Sequence, residues 1–194
     1  MKKIIPLFKV FMADTAAEEV TKVLNSGYIG QGSKVDNFED NLKKYFNHDY
    51  IQTVNSGTSA LHLALHLLKK PTPHHQIFNK GHYADKRWLG LEPGDEVLAT
   101  AMTCTASNWP ILANGLKLKW VDIDPDTLNM DLDDLARKIT PKTKVIMLVH
   151  WGGYPNDLDR IKEIQERAYQ MYGFKPAVIE DGAHSLGSEY KGKR

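Results

Sequence analysis

The chain has 194 residues and a formal net charge of +1, from 25 basic and 24 acidic side chains. This length predicts one domain of ordinary size or a part of a larger one. The balanced charge excludes the strongly charged surface expected of a protein that binds nucleic acid or an anionic membrane. The single cysteine, Cys104, cannot form an internal disulfide, so we expect a reducing, cytoplasmic setting. No apolar stretch approaches the roughly 20 residues of a membrane span.

The first part of the chain predicts two amphipathic helices. Asp14 is a candidate cap for a helix over Thr15–Asn25, and apolar residues at helical spacing predict another helix over Lys34–Phe46. A glycine-rich loop, Ser26–Gly32, separates them. The face of the first helix that we expect to be buried carries Ala16, Val20, Val23 and Leu24.

A strand, a polar turn and a helix are predicted next. Ile51–Val54 is typical of a short buried strand, Asn55–Ser59 of the turn, and Ala60–Leu68 of an apolar helix. Residues 69–92 then break every pattern with prolines, glycines and a histidine pair. This stretch predicts a long excursion on the surface.

From Glu92 onward, predicted strands and helices alternate regularly. The predicted strands are Glu96–Thr100, Lys117–Val121, Lys144–Val149 and Ala177–Ile179. The predicted helices are Thr105–Asn114, Asp131–Ile139 and Leu158–Tyr172, the last with Asn156 or Asp157 as its cap. This alternation predicts an α/β fold with a mostly parallel sheet covered on both faces by helices. Ligands of such folds gather at the carboxyl ends of the strands, where the polar motifs of this chain lie.

The motif Asn55–Ser59 lies between a predicted strand and a predicted helix. Gly57 allows close approach of the backbone, while the hydroxyls of Thr58 and Ser59 and the free N–H groups of a helix start can hold a phosphate. The helix dipole adds attraction for the dianion. The alternative is an ordinary helix cap made from Ser and Thr, and the motif alone does not decide between them.

The motif Glu180–His184 directly follows the last predicted strand. Asp181 is placed to accept a hydrogen bond from a protonated pyridine nitrogen, and His184 to contact the same ring. The alternative is an acid at the end of a strand that caps a turn.

Other polar segments carry weaker signals. Ala101–Asn108 follows a strand and is rich in small and hydroxyl residues, which suits either a ligand or a tightly packed helix entry. In His150–Pro155, both His150 and Trp151 are candidates to line a pocket, although core packing is the more ordinary use of Trp151. His62 and His66 have helical spacing for a shared metal, but no third ligand is evident and packing or surface placement is favoured. No metal is therefore expected.

Taken in order, these motifs resemble the DegT/DnrJ/StrS family of sugar aminotransferases, which depend on pyridoxal 5′-phosphate (PLP). The resemblance runs from about residue 27 to the last residue. The segments that carry it are Tyr28–Gly32, Asn55–Leu61, Pro93–Val97, Val121–Pro125, Val149–Gly153, Glu180–Gly187 and Tyr190–Gly192.

The resemblance implies a fold and a cofactor. The fold is the large domain of the fold type I (aspartate-aminotransferase-like) PLP transferases, of which residues 1–194 would form the N-terminal portion. Gly57, Thr58 and Ser59 would bind the PLP phosphate, and Asp181 would pair with the ring nitrogen beside His184. The residues implied as cofactor-binding are therefore Gly57, Thr58, Ser59, Cys104, Asp181 and His184.

Two departures from the family pattern stand out. Cys104 aligns where the family usually has an aromatic residue stacked on the PLP ring, with Met102 and Trp109 nearby, and a thiol does not replace ring stacking. The family's Schiff-base lysine lies some tens of residues beyond Tyr190–Gly192. We therefore expect the chain to lack that lysine and the small C-terminal domain, as a truncated or split form.

The function that the resemblance implies is transfer of an amino group, usually from glutamate, to a keto-sugar attached to a nucleotide. Family members are homodimers, so we expect a homodimer or pairing with a separate C-terminal polypeptide. The alternative is a non-catalytic binding or regulatory module that keeps the PLP fold. A plain dinucleotide-binding domain is disfavoured, because Gly27, Gly30 and Gly32 do not follow a strand.

Overall fold

A computed structural model of the protein describes residues 10–69 and 90–193. The chain divides into two compact units, one up to Thr53 and the other from Val54 onward. The predicted excursion over 69–92 lies largely outside the described residues. In chain order, the elements are α1 (Ala16–Ser26), α2 (Ser33–Phe46), α3 (Gly57–Leu67), β1 (Glu96–Thr100), α4 (Thr105–Ala113), β2 (Lys117–Val121), α5 (Leu132–Lys138), β3 (Thr143–Val149), a 3-10 turn (Trp151–Gly153), α6 (Leu158–Tyr172) and β4 (Ala177–Asp181).

The second unit is built on a four-stranded sheet with the order β2-β1-β3-β4. Each neighbouring pair is parallel, and β3 and β4 run in register from Val145 opposite Ala177 to Val149 opposite Asp181. Helices connect successive strands, as parallel pairing requires. The predicted parallel α/β architecture is confirmed.

Two apolar clusters lie on the two faces of this sheet. Successive residues of a strand point to opposite faces, and the neighbours Val97 and Leu98 accordingly belong to different clusters. Leu61 and Leu65 of α3 join Ile111 of α4 in the first cluster, together with Ile179 of β4. The members of the second cluster from α5 and α6 are Leu135, Ile161 and Ile164. Helices therefore cover both faces, as the alternation of elements predicted.

The first unit contains α1 and α2, neither of which has a buried residue. The predicted burial along α1 is wrong, since Val20 is 57% exposed and Leu24 is 61% exposed. The predicted cap at Asp14 is wrong as well: the N-cap is Thr15, and the amide of Ala16 bonds to the carbonyl of Ala13 at 2.9 Å. Backbone carbonyls thus close the first turn, which leaves the Asp14 carboxylate no capping role.

The prediction of a strand over Ile51–Val54 is wrong, because these residues form no regular secondary structure and pair with no strand. A strand forms only when its backbone groups bond to a neighbouring strand. At Thr53, the backbone amide bonds to a side chain instead. The Glu39 carboxylate accepts from the Thr53 amide at 2.8 Å and from the Thr53 hydroxyl at 2.7 Å. These hydrogen bonds, led by the backbone one, lower the pKa of Glu39.

The remaining predicted elements of the second unit occur within a few residues of their expected ends. α3 begins at Gly57 rather than Ala60, because Ser56 caps it. Asp157, one of the two candidates, caps α6 by accepting from the amides of Asp159 and Arg160. Across residues 10–69 and 90–193, every helix is too short or too polar to span a membrane.

Candidate cofactor site

The carboxyl ends of the parallel strands bring three polar segments to one edge of the sheet. β1 ends at Thr100, β3 at Val149 and β4 at Asp181. The segments that follow these ends are Ala101–Cys104, His150–Tyr154 and Gly182–Ser188. This is the edge where the sequence predicted a ligand.

The start of α3 is directed toward the same edge. Lys69, just past the end of α3, forms a parallel bridge with Leu91, which precedes β1. The end of α3 therefore lies at the amino edge of the sheet, and its start points toward the carboxyl edge.

The side chains of Thr58 and Asp181 belong to the same face of the sheet. α3 contributes to the first apolar cluster together with Ile179. Asp181 lies two residues after Ile179 in β4 and so projects from the same face. The phosphate-binding and ring-binding candidates thus share both a face and an edge.

Asp181 is half-buried, and each of its carboxylate oxygens accepts one hydrogen bond. Ser107 donates its hydroxyl to Oδ2 at 2.6 Å, and the Ala183 amide donates to Oδ1 at 3.1 Å. The second bond is the turn-capping interaction that the sequence left open as an alternative. It does not exclude ring binding, because each carboxylate oxygen can accept a further hydrogen bond.

The sequence reasoning missed Ser107 as a functional residue. It lies in the first turn of α4, is 1% exposed and reaches a carboxylate 74 positions along the chain. The segment that contains it, Ala101–Asn108, is rich in small and hydroxyl residues. The one signal that could have singled it out is a serine in the first turn of a helix that follows a strand.

His184 is exposed and is fixed by the turn after β3. Its Nδ1 accepts from the Gly152 amide at 3.3 Å, and its ring lies edge-on to Trp151 with 5.6 Å between centroids. Gly153 has φ of +82°, and a Cβ there would approach the His184 carbonyl to 2.7 Å. Glycine is therefore required for the two turns to meet, and half-buried Trp151 packs on His184 rather than in the core.

The backbone amide of His150 donates to the Asp181 carbonyl at 3.3 Å, while the His150 side chain bonds to other residues. It is 6% exposed, and its Nδ1 accepts from the Asn156 amide at 3.1 Å, so its Nε2 carries the proton shared with Glu180 at 2.8 Å. This hydrogen bond is the main reason that the pKa of Glu180 is lowered, against the opposing effect of burial. His150 thus ties β3 to β4 and to the start of α6, rather than lining the candidate site.

The start of α3 has a side-chain cap and free donors. Ser56 accepts from the Ser59 amide at 3.1 Å and donates to the Ser59 hydroxyl at 3.0 Å. The capping function therefore belongs to Ser56, which leaves the amides of Gly57 and Thr58 without an intrahelical acceptor. A Cβ at Gly57 would meet no atom within 4 Å, so the space beside its Cα is open.

A cavity of about 520 Å³ opens beside Thr58 and Ser59, within the size range of small-molecule sites. Its other lining residues are Val54, Asn55, His62, Leu63 and Trp109. Asp181 and Cys104 do not line it. Cys104 instead is the exposed N-cap of α4, without a side-chain capping bond.

His62 contacts residues at the end of α4 and within it. Its carbonyl accepts from the Asn114 side chain at 3.3 Å, and its ring lies 6.2 Å from that of Trp109 between centroids. In the part of the chain that the structure describes, no three His, Cys, Asp or Glu side chains are grouped to hold a metal ion.

The donor set fits the two ends of PLP. The open helix start at Gly57–Ser59 offers amides and hydroxyls to a phosphate, and the carboxylate of Asp181 offers an acceptor to a protonated ring nitrogen. α3 packs against α4, and α4 contacts Asp181 through Ser107. The two ends are therefore joined through one pair of packed helices.

Comparisons with known proteins show which family the chain belongs to. A model of the DegT/DnrJ/EryC1/StrS aminotransferase family matches residues 11–77 and 82–194. GDP-perosamine synthase of Escherichia coli O157:H7 is 34% identical over 98% of this chain and 45% of its own length. AtS13 from Actinomadura melliaura is 48% identical, with a TM-score of 0.84 over 97% of this chain and 45% of that one.

A PLP form is known for another similar structure. The putative sugar aminotransferase Spr1654 from Streptococcus pneumoniae, solved in its PLP form, is 33% identical with a TM-score of 0.79. The match covers 97% of this chain and 45% of that chain. The chain thus spans less than half the length of the relatives it matches.

Proposed function

Because the chain belongs to the DegT/DnrJ/EryC1/StrS aminotransferase family, we propose that it is part of a PLP-dependent aminotransferase acting on a nucleotide-linked keto-sugar. The observation that carries this proposal is the Asp181 carboxylate, held by Ser107 and Ala183 on the same face and edge of the sheet as the start of α3. Bound PLP supplies an electron sink for the carbon that loses its proton.

The residues of this chain bind and orient the cofactor. The amides of Gly57 and Thr58, with the hydroxyls of Thr58 and Ser59, hold the phosphate. Asp181 would accept a hydrogen bond from the protonated ring nitrogen and so favour the protonated form of the ring. His184, whose Nδ1 accepts a hydrogen bond from the Gly152 amide, would lie beside the ring.

Cys104 is the one proposed site residue that departs from the family pattern. It is the N-cap of α4 and aligns where the family usually has an aromatic residue that would stack on the ring. We expect this departure to weaken cofactor affinity, since stacked rings contribute beyond their buried area.

We propose that the family's Schiff-base lysine is not among residues 1–194. The proposed partner is a second copy of the chain, in a homodimer, or a separate C-terminal polypeptide that carries the lysine. Glutamate is the proposed amino donor and the cytoplasm the proposed setting. The similarity to GDP-perosamine synthase and to sugar aminotransferases supports a nucleotide-sugar substrate.

Ligand binding and turnover test this proposal at two levels. The chain should bind 4′-deoxypyridoxine 5′-phosphate, a PLP analogue that cannot react with lysine, and Asp181→Ala should weaken binding while Asp126→Ala in an exposed loop should not. Combined with a lysine-bearing C-terminal piece, the chain should convert glutamate to oxoglutarate in the presence of a nucleotide keto-sugar. Absence of both binding and oxoglutarate would contradict the proposal.

A further inference from the structure

The hydroxyl of Ser107 forms a hydrogen bond that does not cap its own helix. Its amide already bonds to the Cys104 carbonyl at 3.0 Å, and the N-cap of α4 has no side-chain capping bond. A serine in the first turn of a helix usually bonds locally or to water. The Ser107 hydroxyl instead spans to Asp181 at 2.6 Å from a position that is 1% exposed.

The hydrogen bonds around Ser107 have a fixed direction. An ionised carboxylate only accepts, so the single hydroxyl proton of Ser107 goes to Asp181. The Thr103 hydroxyl lies 2.8 Å from the Ser107 hydroxyl and must therefore be the donor of that pair. Thr103, Ser107 and Asp181 form a one-way chain in which each bond strengthens the next.

This chain fixes the orientation of the carboxylate. Ser107 holds Oδ2 from α4, and the Ala183 amide holds Oδ1 from the turn after β4. Two donors on two different elements restrict the Asp181 side chain to one rotamer. The acceptor capacity that remains on each oxygen points in a defined direction.

We propose that Ser107 is a positioning residue that orients the Asp181 carboxylate toward a protonated ring nitrogen, with Thr103 as its supporting donor. The proposal rests on the proposed function for the identity of the ring. The orientation itself is a property of the chain without any ligand. The two claims can therefore fail separately.

The first test measures the Asp181 side chain in the ligand-free chain. Three-bond couplings from the side-chain carbon Cγ of Asp181 to its backbone nitrogen and carbonyl carbon report whether the side chain has one rotamer or several. We expect one rotamer in the original chain and averaged couplings in Ser107→Ala. The matched control is Ser26→Ala, which removes another serine hydroxyl that bonds within its own helix, and its Asp181 couplings should not change.

A second variant guards against misfolding of the first. Thr103→Val removes the supporting hydroxyl at nearly constant volume and should shift the couplings in the same direction by a smaller amount. Unchanged couplings in both variants, with the chain folded by circular dichroism, would overturn the proposal.

The second test uses a ring labelled with nitrogen-15 in 4′-deoxypyridoxine 5′-phosphate. In Ser107→Ala, the ring nitrogen resonance should move toward its unprotonated position, and affinity should fall roughly tenfold, as expected for a hydrogen bond to a charged group. An unchanged resonance in a variant that still binds would contradict the positioning role. If the original chain does not bind the analogue, the proposed function fails, while the rotamer test still decides the role of Ser107.

Discussion

α1 and α6 are both amphipathic helices, yet only α6 has buried residues. α6 buries Ile161, Ile164 and Ala168 against the sheet, whereas α1 carries Val20 and Leu24 at similar spacing and buries nothing. The difference holds for the two units as wholes, since all the buried hydrophobic residues lie in the second unit among the residues described. Helical periodicity therefore predicts the helix, but burial requires a surface that the local sequence does not contain.

Hydrogen exchange should show the largest difference between the two units. Amides of β1 and β3 lie in buried strands and should exchange only through global unfolding, while amides of α1 and α2 should exchange through local opening with free energies near zero. Exchange followed by NMR measures both. Equal protection in α1 and β3 would contradict the comparison.

A matched pair of leucine substitutions should show the next largest effect. Leu98 is 0% exposed in β1, and Leu24 is 61% exposed in α1. Leu98→Ala should lower the free energy of unfolding by about 2–5 kcal/mol through lost burial and a cavity. Leu24→Ala should change it by less than about 0.5 kcal/mol. Urea denaturation compares the two, and similar losses would mean that α1 is buried in solution.

The cap of α3 should have a moderate effect on stability. Ser56→Ala removes the acceptor for the Ser59 amide and should cost about 1 kcal/mol of unfolding free energy. Thr58→Ala, two residues further along in the same first turn, should leave stability nearly unchanged and lower affinity for the PLP analogue. Thermal unfolding and ligand titration separate the two roles, and the reverse pattern would assign the cap to Thr58.

The smallest expected effect concerns Glu180 and depends on pH. Its lowered pKa means that its hydrogen bond with His150 stabilises the fold above the unfolded value of 4.5, and that this contribution is lost as pH falls through the folded value. Because the Glu180 side chain is 47% exposed, the effect should stay below about 1 kcal/mol. Glu180→Gln should therefore lower stability at neutral pH and make little difference in acid. A difference that grows in acid would contradict this assignment.

Local patterns predicted the second unit well, for identifiable reasons. β1, β2 and α6 have the bounds that their apolar runs and caps indicate, since a run of apolar residues between polar ends is a local signal. Ile51–Val54 carries the same signal but no strand forms, because a strand depends on a partner elsewhere in the chain.

In the candidate site, too, the sequence identifies residues that lie in local motifs but not those whose role depends on a distant contact. Gly57, Thr58, Asp181 and His184 stand in motifs that can be read along the sequence. Ser107 could not be identified, since its role is defined by a carboxylate 74 positions away. His150, a candidate pocket residue in the sequence, bonds to Glu180 instead. The sequence alone does not show this, because it does not reveal which face of the sheet Glu180 and Asp181 each project from.

The central proposal is that the start of α3 and the end of β4 bind the same ligand, and this can be measured directly. In an NMR titration of the nitrogen-15-labelled chain with 4′-deoxypyridoxine 5′-phosphate, we expect amide shifts at both Gly57–Ser59 and Asp181–Ala183, with one common dissociation constant. Shifts at only one of the two segments, or at both with different dissociation constants, would contradict a shared cofactor site.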